Sequence, residues 1–288
     1  MIDGALSLAV PCNFGQKLDY KPSNDNIINW HSFDNKNKDW FNAKFNTNSF
    51  ELIETSNEES YNWLQNILKN AINLSRIENN IGGEINTYLE FPKNWGLGSS
   101  STIISNIAQM FDINPFDLHF SSSNGSGYDI ACATSDHPLT YQISNQKPFY
   151  KNVKWNPSFS EELFFVHLNT KQNSQNEVAR YNKTNKDNNA IKEISDLTIE
   201  ILNCNDLNQF EKIIEEHEKI ISFSIKLKPI KENYFSNFNG AIKSLGAWGG
   251  DFILATGEDK KYFSEKGLNT ILSFKDMVKT NQITNEID

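Results

Sequence analysis

The stretch that decides the fold reads Pro92-Lys93-Asn94-Trp95-Gly96-Leu97-Gly98-Ser99-Ser100-Ser101-Thr102. It follows a strand-like run, residues 84–91, and opens into a helix-like run, residues 102–111. A strand, a glycine-hydroxyl turn and a helix start form a natural anion site, because free backbone N–H groups point outward there and the helix dipole favours negative charge. Gly96 and Gly98 would let the backbone approach a phosphate closely, since no Cβ intervenes.

Other interpretations of the same stretch stay open at this point. Serine or threonine at a helix start is also ordinary helix capping, which needs no ligand. A Walker-type loop is excluded, because G-x-x-x-x-G-K-[ST] occurs nowhere in the chain. The third glycine of a dinucleotide-binding G-x-G-x-x-G pattern is Ser101 here, which weakens that interpretation.

The pattern P-x-x-x-G-L-G-S-S in this stretch resembles the phosphate loop of the GHMP kinases, a family that includes galactokinase, homoserine kinase, mevalonate kinase and phosphomevalonate kinase. We call residues 92–102 the phosphate loop. The resemblance implies that ATP phosphates contact Gly96, Leu97, Gly98, Ser99, Ser100 and Ser101. Ser100 matches the hydroxyl that binds Mg²⁺ in the family, and Mg²⁺ prefers hard oxygen ligands. ATP and Mg²⁺ are therefore the expected cofactors.

A second segment in the family's order reads Gly125-Ser126-Gly127-Tyr128-Asp129-Ile130-Ala131. It resembles the G-S-G-x-D-x-A segment of mevalonate and phosphomevalonate kinases, and its core resembles the G-Y-D-I-A string of one GHMP subgroup. The resemblance implies that Asp129 lies next to the acceptor hydroxyl as the catalytic carboxylate. A carboxylate there can accept the hydroxyl proton or orient the hydroxyl. An aspartate that merely caps the following helix is the alternative.

A third segment reads Gly246-Ala247-Trp248-Gly249-Gly250-Asp251. It resembles the family's glycine-rich turn beside the phosphate loop, and its Gly-Asp ending is closest to phosphomevalonate kinases. The resemblance implies that three glycines allow close backbone approach to the phosphate loop and contribute to phosphate binding: Gly246, Gly249 and Gly250. A helix C-cap can coexist with that role. Trp248 departs from the family's glycine and puts the pocket shape in doubt.

Residues that would recognise the acceptor are less well marked. The family's upstream glutamate, which helps to hold Mg²⁺ in mevalonate kinases, aligns with Leu118, which cannot bind a metal. The neighbouring Asp117 could substitute for it. Two further substrate contacts are considered: His119, with an ordinary core or surface histidine as the alternative, and Arg180, whose guanidinium suits carboxylate or phosphate.

The beginning of the chain resembles only part of the family's first motif. Gly4-Ala5-Leu6-Ser7-Leu8-Ala9-Val10-Pro11 matches its downstream end. The upstream part, a strand with a lysine and a Gly-Glu pair, would precede Met1. We expect a start codon assigned too late, with loss of an edge strand as the alternative.

Composition argues against some classes of protein. A formal net charge of −9 over 288 residues argues against nucleic-acid binding, which needs clustered Lys and Arg. Cys12, Cys132 and Cys204 lie far apart without C-x-x-C spacing, which favours free thiols over disulfides or a zinc site. No apolar run approaches the roughly 20 residues of a membrane span. We expect a cytoplasmic protein that does not associate with membranes.

Alternating strand-like and helix-like segments predict an α+β protein. The resemblance implies the two-domain GHMP kinase fold. Residues 1–150 would form the N-terminal mixed α/β, ATP-binding domain without its first strand, and residues 151–288 a ferredoxin-like C-terminal domain. The boundary is placed in the polar, proline-containing stretch 146–160. Beyond it the sequence predicts helices over 188–203, 206–224 and 233–245 and a buried strand at 252–255.

The sequence therefore predicts an ATP-dependent small-molecule kinase that phosphorylates mevalonate or phosphomevalonate, two isoprenoid precursors. A non-catalytic homologue that binds a nucleotide or metabolite is the main alternative. A decarboxylase of the same superfamily is a further one. The expected partners are ATP and a small-molecule acceptor, and a homodimer is possible.

Overall fold

The computed structural model describes residues 1–75, 81–145, 147–170, 181, 187–246, 248 and 250–279. The strands are β1 Ser7–Ala9, β2 Gln16–Pro22, β3 Ile27–Phe33, β4 Asp39–Asn46, β5 Leu52–Thr55, β6 Gly83–Leu89, β7 Leu139–Ser144, β8 Lys147–Asn152, β9 Leu163–His167, β10 Ile242–Ser244, β11 Phe252–Thr256 and β12 Ile271–Ser273. The helices are α1 Glu58–Leu74, α2 Ser99–Met110, α3 Pro115–Ser122, α4 Tyr128–Ala133, α5 Asn188–Asn203, α6 Leu207–Ile225, α7 Ile230–Tyr234, α8 Lys261–Ser264 and α9 Phe274–Met277. The protein is a mixed α/β structure.

Internal contacts divide the chain into two compact units. The N-terminal unit comprises Phe14–Lys93 and Leu97–Thr134, and the C-terminal unit comprises Met1–Asn13, Asn94–Gly96 and Ser135–Asp288. This division differs from the boundary at residue 150 expected from the sequence. β1 pairs with β7 and β7 with β8, which joins the first residues to the segment after residue 135. The domain assignment 1–150 and 151–288 stays a prediction about the family's domains.

The N-terminal unit is built on a five-stranded sheet with the order β2-β6-β3-β4-β5. All its neighbours are antiparallel except β3 and β6, which are parallel. β3 alternates buried and half-buried residues, as expected for a strand with one face on the core. α1 contributes a buried stripe at helical spacing that includes Tyr61, Leu64 and Leu68. Its first turn is capped by the Asn57 side chain, which accepts from the Ser60 N–H.

The C-terminal unit contains an antiparallel sheet with the order β10-β11-β9-β12. Every residue of β9 and β11 is buried, as expected for central strands. α5 and α6 lie between β9 and β10 in the chain, which agrees with a split β-α-β arrangement. The core cluster is rich in aromatic rings: Phe164, Phe235, Phe238 and Phe263.

The first residues of the chain are tied to α5 within the same unit. The Leu6 N–H donates to Ser195 Oγ at 3.0 Å, and Thr198 Oγ1 donates to the Leu6 carbonyl at 2.9 Å. These bonds satisfy backbone groups of Leu6, the residue before β1, which would otherwise lack partners. They explain why residues 1–13 belong with the C-terminal unit.

One predicted element was wrong. The helix predicted over 233–245 is replaced by the end of α7 and by β10, because β10 pairs with β11 from Ile242 to Ser244. The stretch 146–160, in which the sequence analysis places the domain boundary, contains all of β8. The three cysteines form no disulfide, as expected, and Cys204 is buried, whereas Cys12 and Cys132, which were expected to be buried too, are half-buried. No helix in the described part of the chain combines the length and apolar character that a membrane crossing requires.

Candidate functional site

The start of α2 presents free backbone donors. Its N-cap is Gly98, at φ 73° and ψ 33°, and no side chain caps the helix. The Ser101 and Thr102 N–H groups donate to the Gly98 carbonyl at 2.9 and 3.0 Å. The first helical N–H groups, those of Ser99 and Ser100, point out of the helix without an intrahelical acceptor. Serine capping, the alternative left open by the sequence, therefore does not describe α2. The donor set suits an anion.

The three serines of α2 differ in their surroundings. Ser101 is buried, Ser99 is half-buried, and Ser100 is exposed. Among the described residues, no side chain or backbone group hydrogen-bonds the Ser100 hydroxyl, so it is available to a ligand. Thr102 anchors the helix to β2, because its Oγ1 donates to Gln16 Oε1 at 2.8 Å.

Asp129 lies directly beside the phosphate loop. It sits in the first turn of α4, whose N-cap is Gly127 in the left-handed conformation at φ 76°. A Cβ built on Gly98 would lie 3.6 Å from Asp129 Cβ and 3.7 Å from its Cγ, which is ordinary van der Waals contact. The structure therefore brings the second segment against the phosphate loop, as the sequence resemblance implies.

The Asp129 carboxylate has an unusual electrostatic setting. Solvent reaches the side chain, yet the protein atoms crowded around it displace part of its hydration. This desolvation raises the pKa of the Asp129 carboxyl above its usual value. A carboxylate with a raised pKa is a better proton acceptor than an ordinary aspartate.

His119 lies beneath the second segment. It is 7% exposed, and its ring is so close to Gly125 that a Cβ there would lie 3.0 Å from His119 Cε1. Burial lowers the pKa of His119, and a hydrogen bond with the Gly125 backbone acts in the opposite direction. This position favours a supporting role for the turn over the substrate contact expected from the sequence.

The third segment contacts the phosphate loop through Asp251. Gly96 has a φ of +66°, and a Cβ on it would lie 2.2 Å from Asp251 Cγ. Asp251 is itself buried at φ 55°. Its N–H donates to the Thr170 carbonyl and its carbonyl accepts from the Leu168 N–H, both at 2.8 Å. These backbone bonds fix the position of the Asp251 side chain.

The structure describes two of the three glycines of the third segment. Gly246 has a φ of +60°, and no atom of the described residues lies within 4 Å of a Cβ built there. The left-handed backbone conformation of Gly246 requires glycine, whereas the space around its Cα would admit a side chain. Gly250 is buried, and Gly249 lies outside the described residues. Phosphate binding by these glycines stays a prediction.

His167 is a site residue that the sequence analysis missed. It ends β9, is 2% exposed, and its Nε2 lies 3.0 Å from the carbonyl oxygen of Asn94 in the phosphate loop. Its Nδ1 accepts from the Asn169 N–H at 3.3 Å, so Nε2 carries the proton and donates to Asn94. Trp95 and Phe252 pack around the ring. A single histidine at a strand end belongs to no motif.

A metal ion at this site would depend on few protein ligands. No group of three or more His, Cys, Asp or Glu side chains in the described ranges could hold a metal. Mg²⁺ usually takes one or two protein oxygens and completes its shell with phosphates and water. The Ser100 hydroxyl and the Asp129 carboxylate are hard oxygen donors of this kind, so the residues present fit the ion. Leu118 is fully buried and Asp117 is exposed on α3. Arg180 lies outside the described residues.

Several solved structures of known proteins are similar in fold to this chain. No family model and no curated protein sequence matches the chain. The structure is similar to Methanococcus jannaschii mevalonate kinase, with a TM-score of 0.65, 17% identity, and coverage of 94% of this chain and 90% of that one. It is also similar to a D-glycero-D-manno-heptose 1-phosphate kinase from Bacteriodes thetaiotaomicron, with a TM-score of 0.60, 17% identity, and coverage of 93% and 85%.

A further match is a Streptococcus pneumoniae phosphomevalonate kinase in complex with phosphomevalonate and AMPPNP. Its TM-score is 0.58 and its identity 14%, with coverage of 86% of this chain and 84% of that one. These likenesses span nearly the whole length of each protein at low sequence identity. The resemblance noted in the three sequence segments is thus confirmed at the level of the fold: the chain has the GHMP kinase fold, the fold of mevalonate kinase.

Proposed function

We propose that the protein is an ATP-dependent phosphotransferase of the GHMP type that acts on a small alcohol or phosphate acceptor. The observation that carries this proposal is the contact between Asp129 and Gly98. It places a carboxylate with a raised pKa next to backbone donors at a helix start. Phosphoryl transfer depends mainly on positioning and on charge stabilisation, and this arrangement provides groups for both.

Each group at the site has a distinct task in this mechanism. The Ser99 and Ser100 N–H groups and the α2 dipole hold the phosphate chain. Ser100 Oγ contributes an oxygen ligand to Mg²⁺, which, when bound, neutralises charge on the phosphates. Asp129 orients the acceptor hydroxyl and takes up its proton as the oxygen attacks phosphorus. Gly98 keeps the space between helix and carboxylate free of a side chain.

Mevalonate or phosphomevalonate is the acceptor that we propose. The Gly-Ser-Gly-Tyr-Asp string at residues 125–129 and the Gly-Gly-Asp ending of the third segment favour these acceptors over sugars. Similar structures include a mevalonate kinase and a phosphomevalonate kinase, which supports the choice, but also a heptose 1-phosphate kinase. An acceptor panel must therefore include sugars and sugar phosphates. A cytoplasmic location and a homodimer stay predictions.

A non-catalytic protein that binds a nucleotide or metabolite is the second candidate. Leu118 occupies the expected glutamate position and is fully buried, so it offers no metal ligand. Trp248 replaces a glycine of the family pattern. This candidate predicts nucleotide binding without acceptor-dependent turnover.

The test is Mg²⁺-dependent ADP release in the presence of mevalonate, phosphomevalonate, galactose or a heptose 1-phosphate. We expect release with one of the first two acceptors and its loss in Asp129→Asn, which keeps the shape of the side chain and removes the charge. The exposed Asp19→Asn on β2 is the matched control and should retain activity. Turnover with galactose or the heptose 1-phosphate, and with neither of the first two compounds, would show that mevalonate and phosphomevalonate are not the acceptors. Nucleotide binding without turnover would support the second candidate.

A further inference from the structure

His119 and Gly125 form a close contact that links α3 to the turn before Asp129. A Cβ on Gly125 would meet His119 Cε1 at 3.0 Å and Nε2 at 3.1 Å, tighter than nearly all real contacts. The φ of Gly125 is not positive, so the space occupied by the imidazole, and not the backbone conformation, requires glycine here. The ring therefore fits against a residue without a side chain.

Hydrogen bonds hold both the imidazole and the turn. His119 Nδ1 lies 3.0 Å from Ser123 Oγ, and the His119 carbonyl accepts from the Ser123 N–H at 2.8 Å. The imidazole also hydrogen-bonds the Gly125 backbone. One buried side chain thus contacts the turn at its first residue and again two residues later.

The same turn sets the position of Asp129. Gly127 follows Gly125 by two residues and adopts the left-handed conformation that begins α4. The Tyr128 N–H donates to Ser126 Oγ at 3.5 Å, and Asp129 is the next residue. α4 is only six residues long, so its direction depends on the turn that precedes it. A shift of the turn would move the carboxylate relative to Gly98.

We propose that His119 is a positioning residue, which holds the turn of residues 123–127 and through it places the Asp129 carboxylate against Gly98. This inference rests on the proposed function for its catalytic readout. It explains why a histidine is enclosed there by α3 and the glycine-rich turn.

A double-mutant cycle of His119→Ala and Gly125→Ala tests the contact. Each single substitution should lower kcat by about tenfold to a hundredfold, because small displacements of a catalytic group cost that much. The KM for ATP should change little, since the α2 donors are untouched. The double variant should be far less impaired than the product of the single effects, because alanine at 125 has room once the imidazole is gone. The proposal would be overturned if the effects of the two substitutions on kcat simply multiplied in the double variant. An unchanged kcat in His119→Ala would also overturn it.

Controls separate positioning from general loss of structure. Ser121→Ala, at an exposed position on the same helix, should leave kcat and thermal unfolding unchanged. His119→Asn keeps a polar group within reach of Ser123 and should lose less activity than His119→Ala. It also provides a second variant if the alanine protein does not fold. A merely structural role would lower the unfolding temperature and leave the kcat of the folded fraction unchanged.

Hydrogen exchange provides a readout that does not depend on turnover. We expect His119→Ala to speed amide exchange in residues 123–131 and to leave α1 unaffected. If the wild-type protein turns over no acceptor, the proposed function fails, and exchange alone decides the role of His119. Unchanged exchange in residues 123–131 would reject the positioning role whatever the activity.

Discussion

The Asp251 carboxylate occupies the space into which any side chain at Gly96 would project. A Cβ on Gly96 would lie 2.2 Å from Asp251 Cγ and 2.4 Å from Oδ1. Gly98, two residues further on, meets Asp129 at an ordinary distance instead. The two glycines of the phosphate loop are therefore required for different reasons. Gly96 is required because a side chain would clash with Asp251 and because its φ is positive, whereas Gly98 is required only because its φ is positive.

This difference predicts that Gly96→Ala is more damaging than Gly98→Ala. Both variants have an unfavourable left-handed alanine, at a cost of about 1–2 kcal/mol. Gly96→Ala adds overpacking against a buried carboxylate, at about 1–3 kcal/mol more. Urea unfolding should show the larger loss for Gly96→Ala, and Asp251→Ala in the same chain should recover part of it. Equal losses of unfolding free energy in Gly96→Ala and Gly98→Ala would contradict the close contact between Gly96 and Asp251.

The raised pKa of Asp129 predicts the pH dependence of activity. The carboxylate must be ionised to accept a proton, so kcat/KM is present above its pKa and is lost as the pH falls through it. Desolvation moves this acidic limb above the pH range of an ordinary aspartate. A profile of kcat/KM between pH 4 and pH 8 measures this acidic limb. A limb at about 3.9, the pKa of an ordinary aspartate, would contradict the desolvation of Asp129.

The raised pKa of Asp129 favours catalysis but lowers the stability of the folded protein at neutral pH. A carboxyl whose pKa is raised by folding binds a proton more tightly in the folded state, so its ionisation at neutral pH opposes folding. We expect Asp129→Asn to be at least as stable as the wild type at pH 7 while its kcat falls by about a hundredfold or more. Thermal unfolding and kinetics on one preparation check both parts. A marked loss of stability would indicate that Asp129 serves the fold.

His167 predicts a contrast between two amide substitutions. In His167→Gln the side-chain amide can place its nitrogen near the position of Nε2 and keep the donor to the Asn94 carbonyl. In His167→Asn the nitrogen falls short and leaves that carbonyl unsatisfied. We expect the KM for ATP to rise by about fivefold or more in the Asn variant and less in the Gln variant, from one lost hydrogen bond of about 1 kcal/mol. The same KM in both variants would contradict the role of Nε2.

A buried cluster in the C-terminal unit predicts sensitivity to acid. Lys243 Nζ lies 2.9 Å from His217 Nδ1 and 3.2 Å from Glu218 Oε1. Burial, with the Lys243 charge, lowers the pKa of His217 to about 2. The unfolded chain binds a proton at this histidine near pH 6.5 and the folded chain does not, so stability falls as the pH drops below that value.

His217→Gln tests this prediction, because glutamine can accept the bond from Lys243 and does not titrate. Its free energy of unfolding should fall less steeply between pH 6.5 and pH 5 than that of the wild type, by up to about 1.4 kcal/mol per pH unit for one group. Parallel curves for His217→Gln and the wild type would show that His217 titrates normally.

Short-range sequence patterns predicted the parts of the site that depend on backbone geometry. Gly98 before a run of hydroxyl residues indicated the start of α2, and the Gly-Ser-Gly turn indicated that a helix follows it. These features are local, because positive φ and free helix donors require particular residues at particular offsets. The contact between these two segments came from the family resemblance, since nothing in the spacing of two distant segments places them together.

Contacts between distant side chains left no such pattern. His167 supports Asn94 and Asp251 blocks Gly96 through tertiary packing, which a single sequence does not encode locally. The helix predicted over 233–245 shows the same limit, because Phe235, Phe238 and Ile242 have helical spacing. Pairing of β10 with β11 prevails over that spacing. Asn239 and Gly240, poor helix formers, were the available warning. β8 was missed because Pro148 suggested a domain boundary, although an edge strand tolerates proline.

The most direct test of the account is transfer of the labelled γ-phosphoryl group of ATP to mevalonate or phosphomevalonate, compared between the wild type and Asp129→Asn. We expect a labelled acceptor with the wild type in the presence of Mg²⁺, and a loss of about a hundredfold or more in the variant at unchanged nucleotide affinity. No labelled product from any acceptor, or equal transfer by the variant, would contradict the claim that Asp129 beside Gly98 is the centre of a kinase.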